Sequence, residues 1–286
     1  MLPIVALPQL PNRPVDAHKG TFGHVLVIAG SQGMAGAAIL CASAVLRAGA
    51  GTVQVAVPEP IQATVAIGQI CATTVGLPAT RDGRFSDRAQ ERLIDLVGRA
   101  DVVAIGPGLG RGPAIQRLVA GLLPHLRVPV VIDADAINAL ATAPREFTLP
   151  RKAILTPHPG EFARLLGLST QQVQDQRLEL ARDYAQRRNT VVVLKGHRSL
   201  ITDGERVYIN SSGNSGMATG GSGDVLTGVI AALLGQKMLP FDAACLGTYL
   251  HGKAGDLARD ELGELSLIAS DLLRYLPEAI RCHAPR

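Results

Sequence analysis

The sequence predicts a single α/β domain built on a largely parallel sheet, and three observations lead there. Short β-branched runs alternate with longer amphipathic segments through the first two thirds of the chain, the pattern of βα units around a parallel sheet. Glycine-rich connections follow several of those runs directly, where α/β proteins place their ligands. Of the 286 residues, 47% are hydrophobic and 18% charged, with no low-complexity tract, a composition that one large packed domain absorbs. The domain is expected to run over 1–286, with 1–14, which carries four prolines, as an extended N-terminal segment.

Strands are predicted over 24–29, 52–57, 102–105, 129–133, 153–155 and 190–195. Between them, helical spacing covers 34–48, 86–98, 112–123, 159–166 and 170–188. In 86–98, for example, Leu93, Leu96 and Val97 share one face while Arg92, Asp95 and Arg99 lie on the other. The uncharged run 25–46 is no membrane span, because Gly30, Ser31, Gln32, Gly33 and Gly36 divide it into strand, loop and helix. After 195 the texture changes. The runs 199–203 and 206–209 flank Gly204-Glu205 and read as a hairpin with an Asp-Gly turn, an antiparallel edge added to the sheet. A glycine-rich loop over 211–223 then enters helix 224–234, followed by helices 241–258 and 269–282. The first two of these helices are apolar enough to require burial against the sheet.

Composition excludes several functions. The formal charge is +4, but Lys and Arg are scattered singly, aromatics make up 3% and Trp is absent, which argues against a nucleic-acid surface. A mild positive excess suits anionic small molecules such as nucleotides. Cys41, Cys71, Cys245 and Cys282 have no C-x-x-C spacing and read as buried free thiols of a reducing compartment, not as metal ligands or disulfides. The N-terminus lacks the apolar region of a signal peptide or anchor. A cytoplasmic protein with no membrane or nucleic-acid partner is expected.

Residues 213–224 read Gly-Asn-Ser-Gly-Met-Ala-Thr-Gly-Gly-Ser-Gly-Asp, and the apolar helix starts at once with Val225-Leu226. A loop so poor in side chains gathers backbone N–H groups at a helix N-terminus, where the dipole attracts anions. Asp224 could be an ordinary first-turn or N-cap carboxylate. A cap, however, needs no run of Gly220, Gly221 and Gly223, each of which weakens a helix. The alternative is a base that takes a proton from a hydroxyl while adjacent amides hold a transferred phosphoryl group. The loop is neither a Walker A motif, since no Lys-Ser/Thr follows, nor a Rossmann fingerprint, which would lie after the first strand.

Other constellations sit at the carboxyl ends of strands. Gly30-Ser31-Gln32-Gly33-Met34-Ala35-Gly36-Ala37-Ala38 and Gly106-Pro107-Gly108-Leu109-Gly110 are two more small-residue loops, suited to close backbone approach by a ligand or to tight helix packing. Asp133-Ala134-Asp135 supplies two carboxylates, open to a Mg²⁺- or phosphate-facing role and equally to helix capping by Asp135. Thr156-Pro157-His158-Pro159-Gly160-Glu161 carries a His that its prolines stiffen, as suits a ligand contact. Lys195-Gly196-His197-Arg198-Ser199 ends a strand with cations and a hydroxyl, able to hold nucleotide phosphates or ribose. His18, Lys19, Gly20, His251, Gly252 and Gly255 read as packing residues.

Taken in order, His18-Lys19-Gly20 with Gly23, Gly30-Ser31, Gly106 to Gly110, Asp133-Ala134-Asp135-Ala136, Thr156 to Glu161, and Met217 to Asp224 with Leu226-Thr227-Gly228 closely resemble the NAD(P)H-hydrate dehydratases. The resemblance covers the chain from about His18 onward. It implies a ribokinase-like three-layer α/β/α sandwich with a mostly parallel sheet and a β-hairpin edge. It also implies a lyase activity: dehydration of the S epimer of hydrated NADH or NADPH (NADHX, NADPHX) to NADH or NADPH, a repair of the nicotinamide nucleotides. The co-substrate would be ADP, as in most bacterial forms, with release of AMP and phosphate, or ATP as in eukaryotic ones, and Mg²⁺ would accompany it.

By the same resemblance, Ala37, Gly108 or Gly110, His158 and Asp224 would contact hydrated NAD(P)H, with Asp224 catalytic. Lys195, Gly196, His197, Arg198, Ser199 and Gly223 would contact ADP or AMP. A homo-oligomer, as a tetramer, is implied. Larger relatives carry an epimerase domain ahead of this one; with fewer than twenty residues before His18, epimerase activity is expected from a separate protein. One departure is Asn214-Ser215-Gly216, where many relatives have Asn-Pro-Gly; loss of the proline is expected to loosen the loop slightly. The residues themselves leave two rivals. A ribokinase-like kinase of a small vitamin precursor would share the Gly-x-Gly-Asp site, and a non-catalytic nucleotide sensor would not need the intact Asp224.

Overall fold

In the computed structural model, which describes residues 6–142, 148–151 and 153–284, nine strands among those residues form one sheet. They are β1 (His24–Ile28), β2 (Thr52–Pro58), β3 (Thr73–Leu77), β4 (Val102–Ile105), β5 (Val130–Ile132), β6 (Ala153–Leu155), β7 (Val191–Leu194), β8 (Leu200–Thr202) and β9 (Val207–Ile209). Their spatial order is β3-β2-β1-β4-β5-β6-β7-β8-β9, with the pairs from β3 through β7 parallel and the last two pairs antiparallel. The helices are α1 (Ala35–Arg47), α2 (Gln62–Gly68), α3 (Gln90–Val97), α4 (Pro113–Leu122), α5 (Ala134–Leu140), α6 (Pro159–Leu166), α7 (Thr170–Asp175), α8 (Arg177–Arg188), α9 (Ser222–Gly235), α10 (Pro240–Leu262) and α11 (Ala269–His283).

Two hydrophobic cores flank the sheet. Val25 and Val27 of β1 face the core built with α1, α2 and α9 to α11, while Leu26 and Ile28 face the core built with α3 to α8. Strands covered on both faces read as unbroken apolar runs, which explains why their positions are visible in the sequence. The result is the expected three-layer α/β/α sandwich. The hairpin is also found, with β8 paired antiparallel to β7. Its connection is longer than an Asp-Gly turn: Asp203 to Arg206 separate Thr202 from its partner Val207. Backbone N–H groups of Glu205 and Arg206 donate to Asp203 Oδ1.

Three elements lack a sequence signal. Strand β3 lies at the edge, and Thr73, Thr74 and Gly76 leave it without an apolar run; α2 and α5 are only seven residues long. The expected helix over 170–188 breaks at Gln176 into α7 and α8. The cysteines are free, but only Cys41 and Cys245 are buried, whereas Cys71 and Cys282 are exposed, contrary to the expectation of buried thiols. Of the extended segment 1–14, the first five residues lie outside the described residues. The remainder is tied down by His283 Nε2, which donates to the Pro8 carbonyl at 3.0 Å, and by Arg13, which donates to the Gly49 carbonyl at 2.8 Å. Among the described residues no helix is long and apolar enough to cross a membrane.

Helix α9 lies directly against α1. A Cβ at Gly228 would fall 2.3 Å from the Cys41 carbonyl oxygen and 2.6 Å from Ala44 Cβ. Gly228→Ala gains about 1 kcal/mol of helix propensity, but the clash is with backbone and forces the helices apart. The expected net effect is a loss of about 1–3 kcal/mol, read as a lower midpoint in thermal or urea unfolding; an unchanged or higher midpoint would refute this packing.

Candidate active site

The sheet reverses direction of growth between β1 and β4, so a crevice opens beyond their carboxyl ends. The loops leaving these strands clasp each other there: Gly30 N donates to the Pro107 carbonyl at 2.8 Å, and Ser31 Oγ to the Gly108 carbonyl at 2.8 Å. Gly108 has φ +61°, and a Cβ on it would lie 2.8 Å from that of Ala37 in the first turn of α1. Ala37 and Gly108 thus come together as a wall of small residues, while Gly110 packs against the Arg84 side chain, 2.7 Å from where a Cβ would be. The Gly110 amide donates to Asp135 Oδ2 at 2.9 Å. Asp135 therefore holds this loop and does not cap its own helix, which corrects one of the two readings of the Asp133–Asp135 pair.

Asp133, the other member of the pair, is held from three sides. It ends β5, is 1% exposed, and has both oxygens filled by protein donors. Thr156 Oγ1 and Lys195 Nζ donate to Oδ1 at 2.7 and 2.8 Å, and Thr227 Oγ1 donates to Oδ2 at 2.8 Å. Three of the roughly four acceptor sites of this carboxylate are thereby taken by the protein. Lys195, only 19% exposed, also lies 3.9 Å from Glu161 Oε2. Burial pulls the pKa of its ammonium down, but Asp133 and Glu161 outweigh burial and the net shift is upward.

His158 is the N-cap of α6. Its Nδ1 accepts from the amides of Gly160 and Glu161 at 3.0 and 3.3 Å, and Glu161 Oε2 accepts from the His158 amide at 2.8 Å, a reciprocal capping box. With Nδ1 an acceptor, the proton belongs on Nε2, which lies 3.3 Å from Glu161 Oε1. Burial, then the neighbouring Lys195 and Arg164, hold the His158 pKa below its usual value, in keeping with the neutral ring. Burial raises the Glu161 pKa, with Lys195 opposing. The direction of His158 is fixed by its own helix more than by its prolines, and half of its side chain stays exposed.

Helix α9 starts at Ser222 with Gly221 as N-cap, so Asp224 falls in the first turn. The amides of Gly223 and Asp224 have no hydrogen-bond partner among the described residues, which leaves them available to an anion. No described residue donates to the Asp224 carboxylate, so it is not a cap. Its pKa is pushed up to about 7, by burial first and the Asp133 carboxylate second. Lys195 Nζ lies directly beneath Gly223, 3.2 Å from where a Cβ would be. Gly196, His197 and Arg198 are exposed at the end of β7, and Ser199 Oγ donates to the Gly196 carbonyl at 3.0 Å.

The loop preceding α9 is tethered rather than loose. Asp256 accepts from the Gly213 amide at 2.9 Å and from Asn214 Nδ2 at 3.2 Å, and Ser215 Oγ donates to Glu264. The residue that stands in place of proline thereby brings its own anchor. His251 is buried, with Nε2 donating to the Ser222 carbonyl at 2.9 Å, and burial takes its pKa down to about 4. It is a packing residue as expected, whereas His18 is exposed and caps a short 3-10 turn just ahead of β1, contrary to the expectation of packing. Thr156 and Thr227 stand in the quoted motifs without a role; for Thr227, a polar residue within an apolar helix, the sequence carries no sign of a partner 94 positions away.

The raised pKa of Asp224 makes a stability prediction. The folded state holds this proton more tightly than an unfolded Asp at 3.8, so the residue's contribution to stability falls as pH rises from about 4 to about 7. Asp224→Asn should melt above the wild type at pH 8, with the gap closing toward pH 4; equal melting temperatures at pH 8 would count against the buried, unpartnered carboxylate.

Comparison with known proteins places the chain in a family. A family model described as NAD(P)H-hydrate dehydratase matches residues 25–278. The bifunctional NAD(P)H-hydrate repair enzyme Nnr of Moorella thermoacetica is 50% identical over 276 residues, covering 96% of this chain and 52% of that protein. The chain thus spans about half the length of the bifunctional relatives it matches. The ADP-dependent (S)-NAD(P)H-hydrate dehydratase of Neisseria meningitidis is 41% identical over 268 residues, 91% of this chain and 84% of that protein. The crystal structure of the ADP/ATP-dependent NAD(P)H-hydrate dehydratase of Bacillus subtilis, co-crystallized with ATP/Mg²⁺, superposes with a TM-score of 0.81 at 33% identity, covering 96% of this chain and 95% of that one. The sheet with its two helical layers is the ribokinase-like fold. Matched over most of its length by that model and by a relative of similar size, the chain belongs to the NAD(P)H-hydrate dehydratase family.

Proposed function

We propose that this chain dehydrates the S epimer of hydrated NADH and NADPH to the reduced cofactors, consuming ADP and releasing AMP and phosphate. The observation that carries the reading is the first turn of α9, where an unpartnered carboxylate with a pKa raised to about 7 adjoins two unpaired amides. A carboxylate of that pKa is matched to proton abstraction near neutral pH, and amides at a helix N-terminus stabilise phosphoryl charge. The relatives named above supply the substrate and the nucleotide.

Asp224 takes the proton of the hydrate's hydroxyl, and that oxygen attacks the terminal phosphorus of ADP as the bond to the AMP oxygen breaks. The new phosphate ester then leaves as phosphate with its bonding pair, a ring proton is lost, and the nicotinamide double bond is restored. Phosphate is a far better leaving group than hydroxide. Ala37, Gly108, Gly110, His158 and Asp224 are proposed for the hydrate; Gly196, His197, Arg198, Ser199 and Gly223 for the nucleotide, with Lys195 acting from beneath Gly223.

Mg²⁺ is part of the proposal through the nucleotide. Among the described residues no group of three or more His, Cys, Asp or Glu is arranged to hold a metal ion, and no step is assigned to one. A homotetramer in the cytoplasm is proposed, working with a separate NAD(P)H-hydrate epimerase, a partnership suggested by the bifunctional name of the Moorella relative.

The test is recovery of dihydronicotinamide absorbance when purified protein receives hydrated NADH with ADP, ATP or no nucleotide. Recovery should require nucleotide and release one phosphate, and Asp224→Asn should lose about 10²–10⁴ in turnover. A stable phosphate ester as final product would indicate a kinase, and bound nucleotide without turnover a sensor. Because the base must be ionised, kcat/KM should fall as pH drops through about 7; a flat profile from pH 5 to 8 would remove Asp224 from that role.

A further inference from the structure

Asp133 lies beneath the first turn of α9, not in the open crevice. A Cβ at Gly223 would be 3.8 Å from its Oδ2 and 3.2 Å from Lys195 Nζ. Its three donors come from three separate elements: Thr156 after β6, Lys195 after β7 and Thr227 within α9, at sequence separations of 23, 62 and 94 residues. Thr227 follows Asp224 by three positions and so sits one turn along on the same helix face. Thr156 and Thr227 are fully buried, and their hydroxyls have no water to fall back on if the carboxylate is removed.

We propose that Asp133 is the positioning residue of this site: by bonding Thr227, Thr156 and Lys195 together it fixes the first turn of α9, and with it Asp224 and the two free amides, against the ends of β6 and β7. The inference rests on the reading of Asp224 as the base. Hydrogen bonds to a buried carboxylate are charge-assisted and directional, so the helix terminus is held in one position relative to the strand ends. A transferred phosphoryl group demands such fixity, since sub-ångström misplacement of reacting atoms is costly in rate.

Position and charge can be separated. The ionisable groups facing Asp224 are Asp133 after β5, Asp135 on α5, Glu161 on α6, Lys195 after β7 and Cys41 on α1, with neutral His251 of α10 behind Ser222. After burial, Asp133 contributes most to raising the Asp224 pKa, and Lys195 lowers it. Neutralising Asp133 therefore lowers the pKa of the base, both directly and by leaving Lys195 without its counter-charge. Removing the Thr227 hydroxyl leaves these charges in place and releases only the helix.

The experiment measures kcat and KM for ADP across pH 5 to 9 for wild type, Asp224→Asn, Asp133→Asn and the near-isosteric Thr227→Val, with thermal melts of each. Thr227→Val is expected to lose about 10- to 100-fold in kcat, with KM within about twofold, the acid limb unmoved and a cooperative melt. Asp133→Asn is expected to move the acid limb down by about one pH unit as well as lowering kcat. Wild-type kcat in Thr227→Val overturns the positioning role, and does so alone if Asp133→Asn does not fold. An unmoved limb in a folded Asp133→Asn overturns the electrostatic part. Should Asp224→Asn retain turnover, or the wild type show none, it is the underlying reading of the base that fails.

Discussion

A charge removed from water costs several kcal/mol unless partners surround it, and the pairing of Asp133 with Lys195 meets that constraint at the centre of this molecule. Neither group could be buried alone. The carboxylate comes from the end of β5, the ammonium from the end of β7, and the hydroxyls that complete the shell from the end of β6 and from α9. Satisfying one ion thus requires three neighbouring strands to end at the same level and a helix from the far end of the sequence to arrive beside them. Glu161, Lys195 and His158 extend the linkage to the first turn of α6.

The surroundings of this pair explain why two nearby aspartates behave differently. Asp133 receives three donors; Asp224, one turn of helix above, receives none among the described residues. Burial and a neighbouring negative charge disfavour the ionised form of a carboxylate. After burial, the neighbouring Asp133 is the largest cause of the raised pKa of Asp224. The two carboxylates thus stand in different surroundings, one bonded on both oxygens and one bonded by no described residue.

Much of this was legible in the sequence, for definite reasons. Strands β1, β4, β5 and β7 are covered on both faces and spell themselves as apolar runs, and the glycines before Asp224 are too costly in a helix to be incidental. What escaped was whatever depends on partners distant in the chain. Asp135 looks like a helix cap until the Gly110 amide is seen to reach it, and Thr227 is only a polar residue in an apolar helix until Asp133 appears beneath it. Edge strand β3 escaped for a different reason, since one half-exposed strand bearing Thr73, Thr74 and Gly76 has no pattern to show.

The wall formed by Gly108 against Ala37 has a consequence for how such a pocket can change. Its surface is main chain, and a methyl group added at Gly108 would meet Ala37 and Met34 at 2.8 and 3.1 Å while forcing a side chain into a left-handed conformation. A ligand seated against Gly108 would meet main-chain atoms that no side-chain substitution exchanges. Selectivity at such a wall would therefore be hard to retune in single steps, because a side chain at Gly108 disturbs the loop before it reaches any ligand.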